Sequence, residues 1–456
     1  MRIVGYDSVK TVSFAGALAV GLGGIIGAGI FVLSGTMISL SGTGALIAFI
    51  MTGFVAVILA LEMGELVSTM PNSTGASYSF VYNAFGSELG FITGISLYLS
   101  FTASVSAIAL GFGTYLASMA GISSTLYSHI FAVVLIVVLI GINLEGVAEA
   151  AKADLLIVAF KVAVLIVFIA FALLFGKFLS SNISMPAFNG VSGIFAASVI
   201  AMFAYAGFQS IATMAPNIKG GGKTAARAIL VAVAISLVLY VMVTLALLSL
   251  LPGTSFGQVA DPLSFALKSA SAPTWLFYLV DFAALAATTS ATLAMMIAGS
   301  QLVFQLSSDG LLPKYFSRTG KSRKAPITSV LLTAFFGIAL MFTGNIYIIA
   351  AISNFGILFS YLISGFALIK IRRARRRPER HSDFIANAGL VVKDVFEMPL
   401  FPFLPIAGIV MIIAFFFGFP PIALSAGIGL VLACIIVYYA LREDRDEPVI
   451  KIRFFK

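Results

Sequence analysis

Apolar residues in this chain gather into twelve runs, most of them close to the ~20 residues that cross a bilayer as a helix. Their approximate limits are 13–39, 44–68, 88–117, 127–144, 150–176 and 191–216 in the first half. In the second half they are 225–250, 274–306, 326–343, 347–370, 401–419 and 422–440. The third and eighth are long enough to tilt strongly or to emerge from the bilayer. The pattern predicts an all-α integral membrane protein with twelve transmembrane helices, read as a single domain over 1–456. The first run leads directly into a second and a third, so no cleavable signal peptide is needed to explain it.

Composition agrees. Of 456 residues, 60% are hydrophobic and 10% charged, whereas a soluble domain carries about 25% charged residues. A single cysteine, Cys434, allows no internal disulfide, iron–sulfur centre or cysteine zinc cage, and two histidines, His129 and His381, are too few for a histidine metal cluster. No metal and no cofactor is therefore expected. The segments LSGTGA and KGGGKT lack the spacing and strand context of a phosphate loop.

The net charge of +9 is better explained by topology than by nucleic acid. With the N-terminus placed in the cytoplasm, 24 of the 27 Lys and Arg fall in inside segments. Only Lys177 and Lys268 fall outside, and Lys161 lies within a span. This bias predicts a multi-pass protein of the cell membrane with both termini cytoplasmic. The run IRRARRRPER in the loop 371–399 is read as a stop-transfer signal and lipid-headgroup anchor. The tail after 441 is too short for a domain, and no protein partner is called for.

Several spans break the rules of a lipid-facing helix. Span one places Gly21, Gly23, Gly24, Gly27 and Gly29 within nine positions, which suits either close helix packing or a broken helix. Span six carries Ala204, Tyr205, Ala206 and Gly207 at mid-depth, followed by Gln209, Ser210 and Thr213. Two interrupted helices five spans apart point to an inverted repeat with a midplane site. There a helix N-terminus suits an anion such as an amino acid carboxylate, and the carbonyl end suits its ammonium. Lys161, half-way through span five, is either a proton-exchanging group or a structural one, salt-bridged or capping the carbonyls of a broken helix. The patch Thr288-Thr289-Ser290 in span eight could wall an ion-sized site. Glu62 and Glu65 read as gate or interface residues, Asp154 lies near the start of span five, and Asp281 is expected to be wet.

The residues that carry a family resemblance follow in order: GLGGIIGAGIFVLSG at 21–35, LEMGELVSTMPNSTGASYSFVYNAFG at 61–86, AEAAKADLLIVAFKVAVL at 148–165, FAYAGFQSIATMAPNIKGGGKTAARAI at 203–229 and QLSSDGLLPKYFSRTGKSRKAPITS at 305–329. Together they resemble the amino acid–polyamine–organocation transporter superfamily, and prokaryotic proton-coupled amino acid permeases in particular. The resemblance covers roughly 10–370, and the last two spans match only as generic apolar helices.

It implies a LeuT-type 5+5 inverted-repeat core with helices 1 and 6 broken, the repeats falling at 10–176 and 190–370, plus two C-terminal helices at 400–441. By position, Ile26, Gly27, Ala28, Gly29 and Ile30 match the unwound part of helix one that binds the substrate. Phe203, Ala204, Tyr205, Ala206, Gly207 and Phe208 match that of helix six, with Phe203 or Tyr205 covering the substrate. Lys161 matches the helix-five lysine of proton-coupled members. Thr289 and Ser290 would face it, and the carbonyl of Gly24 or Ile25 would be its helix-one contact. The sequence departs from the family at Ala215-Pro216-Asn217, where many members have an acidic pair. The implied function is uptake of an amino acid, neutral by the apolar site, driven by protons as spans one, two, six and seven rock. The implied partners are amino acid, protons and membrane lipid. An amino acid exchanger is the alternative, and a non-transporting membrane sensor is a remote one.

Overall fold

A backbone in hydrocarbon has no water to bond to, so each span must satisfy its own amide and carbonyl groups, and helices do so. The computed structural model describes residues 12–440 apart from 74, 123, 146, 177–189, 257–258, 260, 319–325 and 344–345, with the backbone path alone at 145 and 147–154. Within the described residues the chain is helical, and one isolated parallel bridge joins Val12 to Ile218. The termini, Lys177 and the side chains of Lys152 and Asp154 lie outside the described residues.

The helices are α1 (Phe14–Ile25), α2 (Ala28–Phe31), α3 (Leu33–Ser41), α4 (Gly44–Thr69), α5 (Ser77–Phe85), α6 (Ser87–Met119), α7 (Thr125–Glu145), α8 (Val147–Phe175) and α9 (Gly190–Tyr205). They continue with α10 (Gln209–Thr213), α11 (Gly221–Leu250), α12 (Pro262–Ser269), α13 (Thr274–Ser308), α14 (Ile327–Leu340), α15 (Ile346–Arg376), α16 (Ser382–Asn387), α17 (Phe403–Phe416) and α18 (Pro421–Ala440). Among the described residues, ten helical stretches are long and apolar enough to cross a membrane, and the shorter apolar α14 and α17 bring the bundle to twelve spans. The first span is α1 to α3 taken together, and the sixth is α9, a turn and α10. Observed limits fall within a few residues of those expected, except that α15 runs six residues further, to Arg376. Helices α5, α12 and α16, expected as loop, are short interfacial pieces.

Burial sorts the spans into inner and outer. The apolar window of α6 is 83% buried and that of α13 is 78%, whereas those of α7 and α18 are each 22% buried. So α6 and α13 form the middle of the bundle, while α7 and α18 present side chains such as Val134, Val138, Leu432 and Ile436 outward. In a bilayer these meet lipid.

The arginine run does not serve lipid alone, which corrects the sequence expectation. Because α15 continues through it, Arg372 and Arg375 lie three apart on one face and turn inward, while Arg373, Arg376, Arg377 and Arg380 stay exposed. Arg372 Nη1 donates to Glu65 Oε2 at 3.1 Å and Arg375 Nη1 to Glu65 Oε1 at 3.4 Å. Their other nitrogens reach Glu397 at 2.9 and 3.0 Å. Glu65 also accepts the Met398 amide at 2.8 Å. The segment 391–398 is thereby laid across the end of α4, where Val391 N donates to Thr69 O and Phe396 N to Ser68 Oγ. Lys223 on α11 pairs with Asp394 of the same segment.

A buried charge left without its partner costs more than the pair ever contributed. Glu65→Gln should therefore lower stability by about 3–5 kcal/mol, read as a fall in the thermal unfolding midpoint of detergent-purified protein. Exposed Arg373→Gln should change it by no more than about 0.5 kcal/mol.

Candidate substrate and coupling site

Helix α1 stops at Ile25 because Ile26 leaves helical geometry, with φ −80° and ψ 80°, and Gly27 follows at φ −137° and ψ −137°. The Gly27 amide bonds back to Ile25 O at 3.0 Å, closing an inverse γ-turn. That turn takes the amide which a continuous helix would give to Gly23 O. On the far side, Ala28, Gly29 and Ile30 form the first turn of the next helical piece, where amides have no preceding helical carbonyl to bond. The dense glycines of span one thus mark both a break and a close approach.

The carbonyls of Gly23, Ile25 and Ile26 meet side-chain donors from other spans. Lys161 Nζ on α8, fully buried, donates to Gly23 O at 3.0 Å, Ile26 O at 2.7 Å and Ser290 Oγ on α13 at 2.9 Å. Three oxygens, none of them charged, thus meet the three N–H of an ammonium. The Tyr240 hydroxyl on α11 lies 2.5 Å from Ile25 O and 3.1 Å from Ala204 O, so it touches both interrupted helices. The Tyr115 hydroxyl on α6 donates to Phe31 O at 2.6 Å.

The sixth span is interrupted less deeply than expected. Helix α9 ends at Tyr205, residues 206–208 form a single 3-10 turn, and α10 resumes at Gln209. Tightened rather than unwound, this turn sits directly on the first break. A Cβ on Gly207 would lie 2.1 Å from the Gly24 carbonyl carbon, and one on Gly29 would lie 2.3 Å from Ala204 Cβ. Backbone meets backbone at two points, and only glycine fits there. Ile26 to Ile30 and Phe203 to Phe208 are all buried.

The structure brings most of the expected residues together and corrects some details. Lys161 contacts Gly23 and Ile26, one residue to either side of the expected Gly24 and Ile25, because the γ-turn decides which carbonyls are free. Thr289 does not face Lys161. Its hydroxyl bonds back to Leu285 O at 2.7 Å, as Thr288 does to Ala284 O, and of the patch Ser290 alone is turned to the site. Tyr205 is packed against Tyr240 at 5.1 Å between ring centroids, its hydroxyl on Phe49 O. Asp281, expected to be wet, is 3% exposed and accepts a hydrogen bond from Ser264. Where an acidic pair was expected, the backbone does the work: Val12 N donates to Asn217 O at 3.0 Å and Lys219 N to Val12 O at 2.8 Å. Outside the spans, Asp309 of the SSDG stretch accepts from Tyr78 and Gln305, and burial pushes its carboxyl above the usual carboxylate range. Tyr240 and Tyr115 were missed, since a tyrosine in an apolar run reads as core.

The first span is interrupted, a second interruption is packed on it, and Lys161 ties the first to α8 and α13. The amino acid permease family model matches residues 16–438. The chain belongs to the amino acid permease family. It is 27% identical to the methylthioribose transporter of Bacillus subtilis (strain 168), over 94% of this chain and 93% of that protein. A branched-chain amino acid permease of the same organism is 28% identical, over 77% of this chain and 79% of its own. The vacuolar cationic amino acid transporter 2 of Arabidopsis thaliana is 26% identical, over 81% and 60%. The permease is thus a multi-pass membrane transporter of amino acid permease type, not an enzyme.

Removing the Tyr240 hydroxyl leaves two buried carbonyls without that donor. Tyr240→Phe should cost about 1–3 kcal/mol, and more than Tyr127→Phe, at the periphery, in the same thermal unfolding assay.

Proposed function

We propose that the permease carries neutral L-amino acids into the cell by proton-coupled symport, through alternating access on a LeuT-type 5+5 inverted-repeat core with repeats at 10–176 and 190–370. Both termini are cytoplasmic in this reading, in keeping with the distribution of Lys and Arg. The observation that carries it is the seat of Lys161. An ammonium has three N–H for the carbonyls of Gly23 and Ile26 and the Ser290 hydroxyl; a neutral amine has two. Loss of the proton therefore loosens the tie between the first break and helices α8 and α13, which is what a coupling group must do.

The substrate carboxylate takes the amides of Ala28, Gly29 and Ile30 at a helix start, and its ammonium takes the carbonyl side of the breaks. Since Tyr205 is held by Tyr240 and Phe49, Phe203 is the better cover for the substrate. Among the described residues, no hydrogen bond or ion pair joins a carboxylate to Ile26 to Ile30 or Phe203 to Phe208. This favours a neutral side chain over a cationic one, in line with the branched-chain amino acid permease of Bacillus subtilis rather than the plant cationic transporter.

The test is uptake into liposomes, with an amino acid panel weighted to branched-chain side chains and with methylthioribose as a separate arm. Under an inward proton gradient a one-proton symporter should accumulate its substrate up to about tenfold per pH unit, and Lys161→Ala should abolish that accumulation while leaving exchange measurable. Uptake that ignores pH, needs a counter-substrate inside and survives Lys161→Ala would establish the exchanger instead.

A further inference from the structure

Glu62 is the outlier among the buried charges. It lies on α4 two turns before that helix ends at Thr69, about 10 Å in from the end crossed by segment 391–398. Its side chain is 3% exposed, it makes no ion pair among the described residues, and Oε1 has no hydrogen-bond partner there. Room for the carboxyl comes from glycines on two other helices. A Cβ on Gly408 of α17 would lie 2.7 Å from Oε1, and one on Gly365 of α15 would lie 3.5 Å from Oε2. The carboxyl thus lies against these glycines with no cation paired to it among the described residues.

The surroundings are equally specific. From α15 the Tyr361 ring stacks on Phe208 of the 3-10 turn at 5.5 Å, and its buried hydroxyl, like Glu62 Oε1, has no hydrogen-bond partner among the described residues. On α17 no residue between Phe403 and Phe416 titrates. On α15 Arg372 and Arg375 are taken by Glu65 and Glu397, Arg373 and Arg376 are exposed, and Lys370 lies over the Phe85 and Phe384 rings; on α11 Lys223 is taken by Asp394 and Arg227 is exposed. Tyr205 of α9 is on Phe49 O and Tyr240 of α11 is at the breaks. On α4 itself, Glu65 is one turn away and adds negative charge.

We infer that Glu62 is a proton-binding position, holding its carboxyl neutral in the cradle of Gly365 and Gly408 and releasing the proton to the α4–α15 end of the bundle when that end opens. A carboxylate here would be a buried anion without a counter-charge, the costliest way to place the group. A neutral acid has the shape and polarity of glutamine and needs no partner of opposite charge. One carboxyl with no other oxygen ligand from its neighbours does not make a metal site. The release step rests on the alternating-access part of the transport reading above, whereas the bound proton does not, and neither requires Lys161 to titrate.

Infrared spectra of the reconstituted full-length protein test the first half. At neutral pH the difference between native protein and Glu62→Gln should contain the carbonyl band of a protonated carboxylic acid, and the same band should persist in a Lys161→Ala background. A carboxylate band in its place overturns the inference. Should the glutamine variant fail to fold, Glu62→Leu serves the same subtraction. Transport tests the second half. Glu62→Gln, fixed in the neutral form, should keep substrate binding and shift the pH dependence of uptake with Lys161 intact. An unchanged pH profile with only a lowered unfolding midpoint would make Glu62 a packing residue and overturn the release step.

Discussion

An interrupted helix inside a bilayer exposes carbonyl and amide groups that no water can satisfy, and the arrangement of this permease follows from how they are met. At the break the carbonyls of Gly23, Ile25 and Ile26 turn to side chains of other spans. They are answered by a lysine from α8 and a tyrosine from α11, with a serine from α13 completing the lysine's shell. Each donor comes from a span far away in sequence. The break therefore exists only when the bundle is assembled, and assembly is what keeps it from closing into an ordinary helix. The same requirement places Gly207 on Gly24 and Gly29 on Ala204, since the donors can reach only if the two interrupted spans touch.

Much of this was legible in the sequence, for reasons that differ by feature. Span limits follow from run length, because the bilayer imposes a minimum of apolar residues. Helices α5, α12 and α16 have six to nine residues, too few to leave a run, and were invisible for that reason. The end of α15 was hidden by its own charges: Arg372 and Arg375 look like loop until their spacing of three is placed on a helix facing Glu65. The break in span one showed in its glycines. Lys161 stood out as a cation in an apolar run. Its partners came out one residue displaced, because a single γ-turn, below the resolution of composition, decides which carbonyl is free. Tyr240 left no signal at all, for its role depends on a hydroxyl that composition counts as part of a buried aromatic.

Lys161, Glu65 and Glu62 are buried in the bundle, and their surroundings differ. Lys161 donates to two backbone carbonyls and a hydroxyl. Glu65 is met by two guanidinium groups and an amide, with Glu397 balancing the second positive charge. Glu62 lies against Gly408 and Gly365, its Oε1 without a hydrogen-bond partner among the described residues. The last two share helix α4, one turn apart, and in both cases α15 forms the opposite wall. A motion that draws α4 away from α15 by enough to part Glu65 from Arg372 and Arg375 must also lift Glu62 out of its cradle against Gly365. Unlocking the ion-pair cluster and admitting water to a protonated carboxyl are then one event rather than two. The cost of separating the buried ion pairs is offset in part when Glu62 is hydrated and ionises.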